Sequence, residues 1–331
     1  MKIQFLFKPN DALIQYFEEH LGRENIQFLI PKEKDSNGGY EFPKIAEADI
    51  LLGWRLPNEV LQQAKSCRLW VSPAAGIRHL VRQFRALEIG DKIVLANSHG
   101  NAYATAQHMV ALLLSVSNCL VLHHELMKSG VWRSGDKEGA SLPLRHRKIG
   151  LLGYGAINQK VHQLLQAFDS DFFILKNNVP ANTPTNWFAA SDLAAFLQKI
   201  DTLLIAVPHT NETDGMIGEK ELALLGKNGL LVNISRGQVV QEKALFEALR
   251  NEKIAAAAID VWYNYRPTAN ENGQKHPYNY PFHELPNIVL SPHRGASPVG
   301  EIERFGDCIA TIKQFINGET IKNRVYIERE Y

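Results

Sequence analysis

The sequence lacks most of the features that would tie it to a membrane, a metal or a nucleic acid. Only three of its 331 residues are cysteine. Cys67, Cys119 and Cys308 are odd in number and widely separated, which excludes a CxxC metal pair and a disulfide framework and fits a reducing compartment. A cytoplasmic protein without a metal site is therefore expected. The formal net charge is +1, and no Lys/Arg cluster forms a phosphate-tracking stripe, so nucleic acid is not an expected partner. No uninterrupted apolar run reaches the roughly 18 residues of a membrane span. The apolar start at residues 1–7 turns polar at Lys8-Pro9-Asn10; it is too short for a signal-peptide core and reads as a first buried strand.

What is present alternates between short apolar runs and helical patterns. Residues 3–7, 26–30, 49–53 and 69–72 read as strands, and 12–21 as a helix, in a first βαβ series. A second series begins at Lys148, with strands at 149–152, 172–175, 202–206, 229–233, 255–259 and 288–290 and a helix at 157–168. Such alternation predicts an α/β fold of two doubly wound, parallel-sheet domains. Between them, residues 102–127 carry apolar side chains all round, which predicts one long helix, buried or at a subunit contact. Gly130 and Ser134-Gly135-Asp136 mark a loop after it. The expected division is residues 1–98 with 299–331 as one domain and 99–298 as the other.

Gly150-Leu151-Leu152-Gly153-Tyr154-Gly155-Ala156-Ile157-Asn158 follows a strand and opens a helix. Gly153 permits the tight turn, Gly155 lets the backbone approach a pyrophosphate, and Ala156 and Ile157 begin a helix whose free N–H groups face the phosphates. Asn158 stands where a third glycine is usual. An ordinary strand–helix turn is the competing reading, and the βαβ context favours the nucleotide. At the end of the next strand an acidic residue would hold a ribose 2′-OH. Asp169 and Asp171 precede that strand and point toward its wrong end, whereas its end reads Lys176-Asn177-Asn178. A cation beside amides suits a 2′-phosphate, so NADP is expected; a solvated Lys176 beside an NAD site is the alternative.

Four further segments, in order, resemble the D-2-hydroxyacid dehydrogenase family over nearly the whole chain. Val207-Pro208-His209-Thr210-Asn211-Glu212-Thr213 resembles its loop under the adenosine and ribose. Leu231-Val232-Asn233-Ile234-Ser235-Arg236-Gly237 resembles its arginine motif, and Ala258-Ile259-Asp260-Val261-Trp262 its aspartate motif. Residues 285–293, ending in Ser291-Pro292-His293, resemble its histidine motif. The resemblance implies a Rossmann dinucleotide-binding domain at 99–298, a flavodoxin-like substrate domain in the remainder, and a homodimer. It also implies hydride transfer between NAD(P) and the 2-carbon of a small D-2-hydroxy or 2-keto acid.

That chemistry needs a cation on the carboxylate, and the guanidinium of Arg236 gives permanently charged, bidentate donors. It needs a proton donor at the carbonyl oxygen, and the imidazole of His293 titrates near neutrality. By the resemblance, Asp260 accepts from the nicotinamide carboxamide, and Val207, Pro208, Thr213, Ile234 and Ser235 line the cofactor. Taken singly, Arg236 could be a salt-bridge partner, His293 a satisfied loop histidine and Asp260 a strand-end cap. In the first domain, Ser72-Pro73-Ala74-Ala75-Gly76-Ile77 resembles a glycine turn, so Ala75 and Gly76 are expected to bind the substrate carboxylate. Asn101, heading the long helix, matches a family asparagine near the substrate. The family's usual glutamate in that helix is Gln107 here. Arg55 could choose the substrate's side chain, or lie in a plain surface loop.

One departure stands out. The family carboxylate that pairs with the histidine lies five residues after the aspartate, and here that position is Tyr265. Tyrosine can orient an imidazole but stabilises its cation less than a carboxylate does. Formate dehydrogenases of the same superfamily carry Gln there, so a formate- or phosphite-type dehydrogenase is an alternative, as is a corepressor-like NAD(P) sensor with vestigial catalysis. The segment between Asp260 and His293 is longer than usual for the family, and reads either as an aromatic lid or as an outer excursion.

Overall fold

The computed structural model describes residues 1–22, 26–33, 39–133, 140–180, 182–297 and 300–331. The chain divides into two units, residues 1–101 with 299–331 and residues 102–298. In the first, strands β1 (Lys2–Phe5), β2 (Gln27–Leu29), β3 (Ile50–Leu52), β4 (Leu69–Val71) and β5 (Val94–Ala96) run parallel in the order β2-β1-β3-β4-β5. This is the flavodoxin-like doubly wound order. Side chains alternate across the sheet, as the period of two demands. Ile3, Phe5, Ile50 and Leu52 pack with Phe17 of α1 (Asp11–Leu21) and Ile309 of the last helix (Gly306–Ile316). Leu51, Trp70 and Leu95 pack on the other face with Leu80 and Phe84 of α2 (Arg78–Leu87). Both faces are covered, hence the nearly unbroken apolar strands. The strand at Val94–Ala96 was not expected. Its three residues, between a polar turn and Asn97, are too few to show a period.

The second unit holds β6 (Lys148–Leu152), β7 (Asp171–Lys176), β8 (Trp187–Ala189), β9 (Thr202–Ile205), β10 (Leu230–Asn233), β11 (Ala256–Ile259) and β12 (Ile288–Leu290). All pairings are parallel, in the order β8-β7-β6-β9-β10-β11-β12. This 3-2-1-4-5-6 core is the dinucleotide-binding order, whose crevice opens where the winding reverses, between β6 and β9. The strand after the glycine turn begins at Asp171 rather than after it, which still leaves that carboxylate at the amino end.

The expected single helix over residues 102–127 is broken. It forms α3 (Ala102–Ser117) and α4 (Leu120–Lys128), bent by 64°. The Ser117 carbonyl, which would accept from Val121 in a continuous helix, instead accepts the Leu142 N–H at 2.7 Å. Cys119 takes a left-handed φ of 51° at the break. α3 buries Ala106, Met109, Leu112, Leu113 and Val116, whereas α4 buries nothing and exposes Leu120, Val121 and Met127. The loop expected at Ser134-Gly135-Asp136 lies outside the described residues.

The long segment after β11 is docked rather than free. Tyr263 and Asn264 N–H groups donate to the Pro277 carbonyl at 3.2 and 2.9 Å. Phe282 is fully buried against Phe246 and Trp262, and Tyr280 stacks on Phe246. The aromatic half of the segment is thus part of the core, while residues 268–275 are exposed. Removing the anchor should cost about 3–5 kcal/mol, the range for a buried phenylalanine cut to alanine. Phe282→Ala should show it as a lower urea midpoint in equilibrium unfolding; a midpoint equal to wild type would mean that the segment packs without contributing to stability.

Candidate active site

The glycine turn is built as nucleotide turns require. Gly153 has a φ of 81°, and a Cβ there would lie 2.8–2.9 Å from Val207 and the Ala206 carbonyl oxygen. Gly155 caps α5 (Ala156–Leu165), and a Cβ on it would meet nothing within 4 Å. Its open side leaves room for a group that approaches the backbone, and Ala156 and Ile157 lead a helix with no acidic residue in its first turn. A pyrophosphate fits that cradle. At the missing third glycine, Asn158 is fully buried, and its amide nitrogen donates to the Gly153 carbonyl at 2.6 Å and the Leu152 carbonyl at 3.2 Å. The side chain stitches the turn to its strand where a glycine would have allowed closer helix packing.

Lys176 ends β7, with its ammonium 5.9 Å from the centre of the Trp187 ring, and Asn177 follows. Across the switch point, Thr213 closes its own loop. Its hydroxyl donates to the Pro208 carbonyl at 2.7 Å and accepts the Thr210 N–H at 2.9 Å. Val207 is half-buried and Pro208 exposed, while Ile234 and Ser235 are buried.

Arg236, Asp260 and His293 leave the carboxyl ends of three neighbouring strands, β10, β11 and β12. Asn233 shapes the first exit by accepting the Ser235 N–H and hydroxyl at 3.0 and 2.7 Å and donating to the Arg236 carbonyl at 3.0 Å. Gly237 lets this loop press on the next one, since a Cβ there would lie 2.6 Å from the Trp262 carbonyl. Trp262 in turn donates its indole N–H to the Ser291 carbonyl at 2.8 Å. The three exits are therefore tied side by side.

Asp260 is the buried centre of this group. Its Oδ1 accepts the Ser291 hydroxyl and the Arg294 N–H at 2.7 Å, and its Oδ2 accepts the Gly295 N–H at 3.0 Å. His108 of α3 places Nε2 at 3.0 Å from the Ser291 hydroxyl and 3.4 Å from Oδ1. Burial alone would raise the carboxyl's pKa, but the hydrogen bonds from His108, Ser291, Arg294 and Gly295 outweigh it and bring the value down to about 2. The residue thus ended is His293, whose φ of 59° lies in the left-handed region, uncommon for a non-glycine residue.

Tyr265 meets His293. The hydroxyl lies 2.9 Å from Nδ1, with the Trp262 N–H pointing to the same oxygen at 3.4 Å. Burial pushes the tyrosine's pKa up. The His293 imidazole is held below its ordinary value, chiefly by burial and then by the Arg236 charge, with Asp260 opposing both. Arg236 is thus near enough to act on the imidazole electrostatically. In the first unit, Arg55, Ala75, Gly76 and Asn101 all lie in segments that follow strands β3, β4 and β5, at that sheet's carboxyl edge. Arg55 is exposed, and the Ala75 carbonyl accepts from Asn97 at 3.2 Å.

Sequence reasoning missed His108 and Ser291. Ser291 sits inside the histidine motif but was not singled out. For His108 the helical period was the available signal, since it shares a face with Thr105 and Leu112, which are buried.

The strand order and the glycine turn define a doubly wound dinucleotide-binding protein. The chain belongs to the D-isomer specific 2-hydroxyacid dehydrogenase family, whose NAD binding domain matches residues 110–295. It is 30% identical to a glyoxylate reductase of Pyrococcus furiosus, over 96% of this chain and 93% of that one. It is 27% identical to a D-3-phosphoglycerate dehydrogenase of Methanocaldococcus jannaschii, over 85% of this chain, and spans only about half (52%) of that protein's length. A D-isomer specific 2-hydroxyacid dehydrogenase from Xanthobacter autotrophicus, solved with NADPH and MES, shares the fold with a TM-score of 0.79 at 19% identity, over 100% of this chain and 99% of that one.

The depressed imidazole sets the expected pH behaviour. In the acid–base role that we propose for His293, proton donation needs the imidazolium, so its loss with rising pH should begin below the ordinary histidine range. Tyr265→Glu places a negative charge at Nδ1 and should move the basic limb of keto-acid reduction upward by about one pH unit. A limb that does not move in the variant would contradict this electrostatic picture.

Proposed function

We propose that the chain reduces small 2-keto acids to D-2-hydroxy acids with NADP as its preferred coenzyme, and that glyoxylate or hydroxypyruvate is its substrate. The observation that carries this reading is that Arg236 and His293 leave β10 and β12, on either side of β11, close enough for the guanidinium to lower the imidazole's pKa, on the sheet edge that also bears the open glycine turn. Arg236 holds the substrate carboxylate through paired N–H donors, and its charge polarises the neighbouring carbonyl. Bound NADPH supplies the hydride that the 2-carbon receives. His293 gives its Nε2 proton to the carbonyl oxygen, and in the oxidative direction takes that proton back. Tyr265 fixes the ring through Nδ1.

Asp260 Oδ2 has acceptor capacity left for the nicotinamide carboxamide. The α5 N-terminus, with Gly153, Gly155, Ala156 and Ile157, holds the pyrophosphate. Val207, Pro208, Thr213, Ile234 and Ser235 line the rest of the coenzyme, and Lys176 with Asn177 takes the 2′-phosphate. In the first unit, the carboxyl edge with Arg55, Ala75, Gly76 and Asn101 is the proposed substrate-contact surface. The exposed Leu120, Val121 and Met127 of α4, with Trp132 beyond it, are the proposed contact of a homodimer. Three free cysteines agree with a cytoplasmic location.

NADPH oxidation with a panel of 2-keto acids tests the reading. Glyoxylate or hydroxypyruvate should be turned over, with kcat/KM favouring NADPH over NADH. Lys176→Ala should cut that preference about tenfold, the effect of one lost charged contact near 1.4 kcal/mol. Tight nucleotide binding with none of the acids reduced would instead make the protein a sensor.

A further inference from the structure

The residue that ends the Asp260 network is not on the strand edge at all, but on α3. Asp260, as a carboxylate, can only accept, so the Ser291 hydroxyl spends its proton on Oδ1. The same hydroxyl oxygen must then accept at its other contact, which makes His108 the donor through Nε2–H at 3.0 Å. Donation therefore runs from His108 to Ser291 to Asp260, and the Arg294 and Gly295 N–H groups donate to the same carboxylate. The imidazole also forms one wall of the turn. A Cβ on Gly295 would lie 3.3 Å from His108 Cδ2 and 3.0 Å from Asp260 Oδ2, so a side chain there would make these groups give by a few tenths of an ångström. His293, one residue before the gripped N–H groups, carries the left-handed φ of 59°. Left-handed backbone on a non-glycine residue costs free energy and persists only where its surroundings over-determine it.

We propose that His108 is a positioning residue for His293. Through Ser291 it orients the Asp260 carboxylate, which clamps the Arg294–Gly295 backbone and so holds His293 in the left-handed conformation that aims its ring. His108 does not touch the reacting atoms and transfers no proton. The inference rests on the reading of His293 as the acid–base residue.

The test uses His108→Leu, which removes the donor, and His108→Gln, whose amide nitrogen can restore it. With NADPH and glyoxylate, kcat should fall about 10- to 100-fold in His108→Leu, the scale of a group misplaced by an ångström, and KM for NADPH should change by no more than about threefold. His108→Gln should recover most of the loss. Ser291→Ala breaks the middle of the chain, so the double variant with His108→Leu should be no worse than the poorer single variant. Melting temperatures near wild type separate these effects from misfolding. A crystal structure of His108→Leu reads the turn independently of turnover, and His293 should leave the left-handed region. Wild-type kcat with an unmoved turn, equal losses in the Leu and Gln variants, or additive losses in the double variant would overturn the inference. A displaced turn with unchanged turnover would uphold the positioning and overturn instead the acid–base reading of His293.

Discussion

A buried carboxylate that takes hydrogen bonds from the backbone of another loop is the constraint on which this site depends. Asp260 sits just past β11 and is 3% exposed. An ionised group so placed would be costly without partners. Its partners are the N–H groups directly after His293, so the need to satisfy the carboxylate also fixes the backbone of the imidazole. Gly237 and Trp262 brace the loop on one side and Ser291 on the other. Arg236 enters the same region because β10 neighbours β11, and the parallel order puts all three exits at one edge.

Tyr265 changes the electrostatics of that edge without emptying the position. A carboxylate at Nδ1 would accept a proton there and balance a charged ring. A phenol hydroxyl can accept from Nδ1–H or donate to Nδ1, and carries no charge at neutral pH. Burial and Arg236 both work against the imidazolium, and the Asp260 carboxylate favours it. This makes the position of Asp260 matter twice, for the geometry of His293 and for its charge.

Much of the fold was legible in the sequence because each βαβ unit announces itself locally. The glycine turn, the strand carrying Lys176 and the apolar runs before Arg236, Asp260 and His293 all depend on neighbours within a few residues. The short strands Val94–Ala96 and Trp187–Ala189 were illegible because three residues show no period. The break at Cys119 was illegible because its cause is the Leu142 N–H, more than twenty residues along the chain, capturing the Ser117 carbonyl. The left-handed backbone of His293 has the same kind of origin, since Asp260 imposes it from a distant strand. The docking of Phe282 and Tyr280 could not be told from a lid, because aromatic composition does not say which surface the rings meet.

The most direct measurement is NADPH-dependent reduction of glyoxylate by His293→Ala at a pH below neutrality, alongside the NADPH dissociation constant from nucleotide fluorescence. Loss of a positioned acid should lower kcat about 10²- to 10⁴-fold while the dissociation constant stays near that of wild type. An unchanged kcat, or a loss explained wholly by weaker nucleotide binding, would contradict the assignment of His293 as the proton donor.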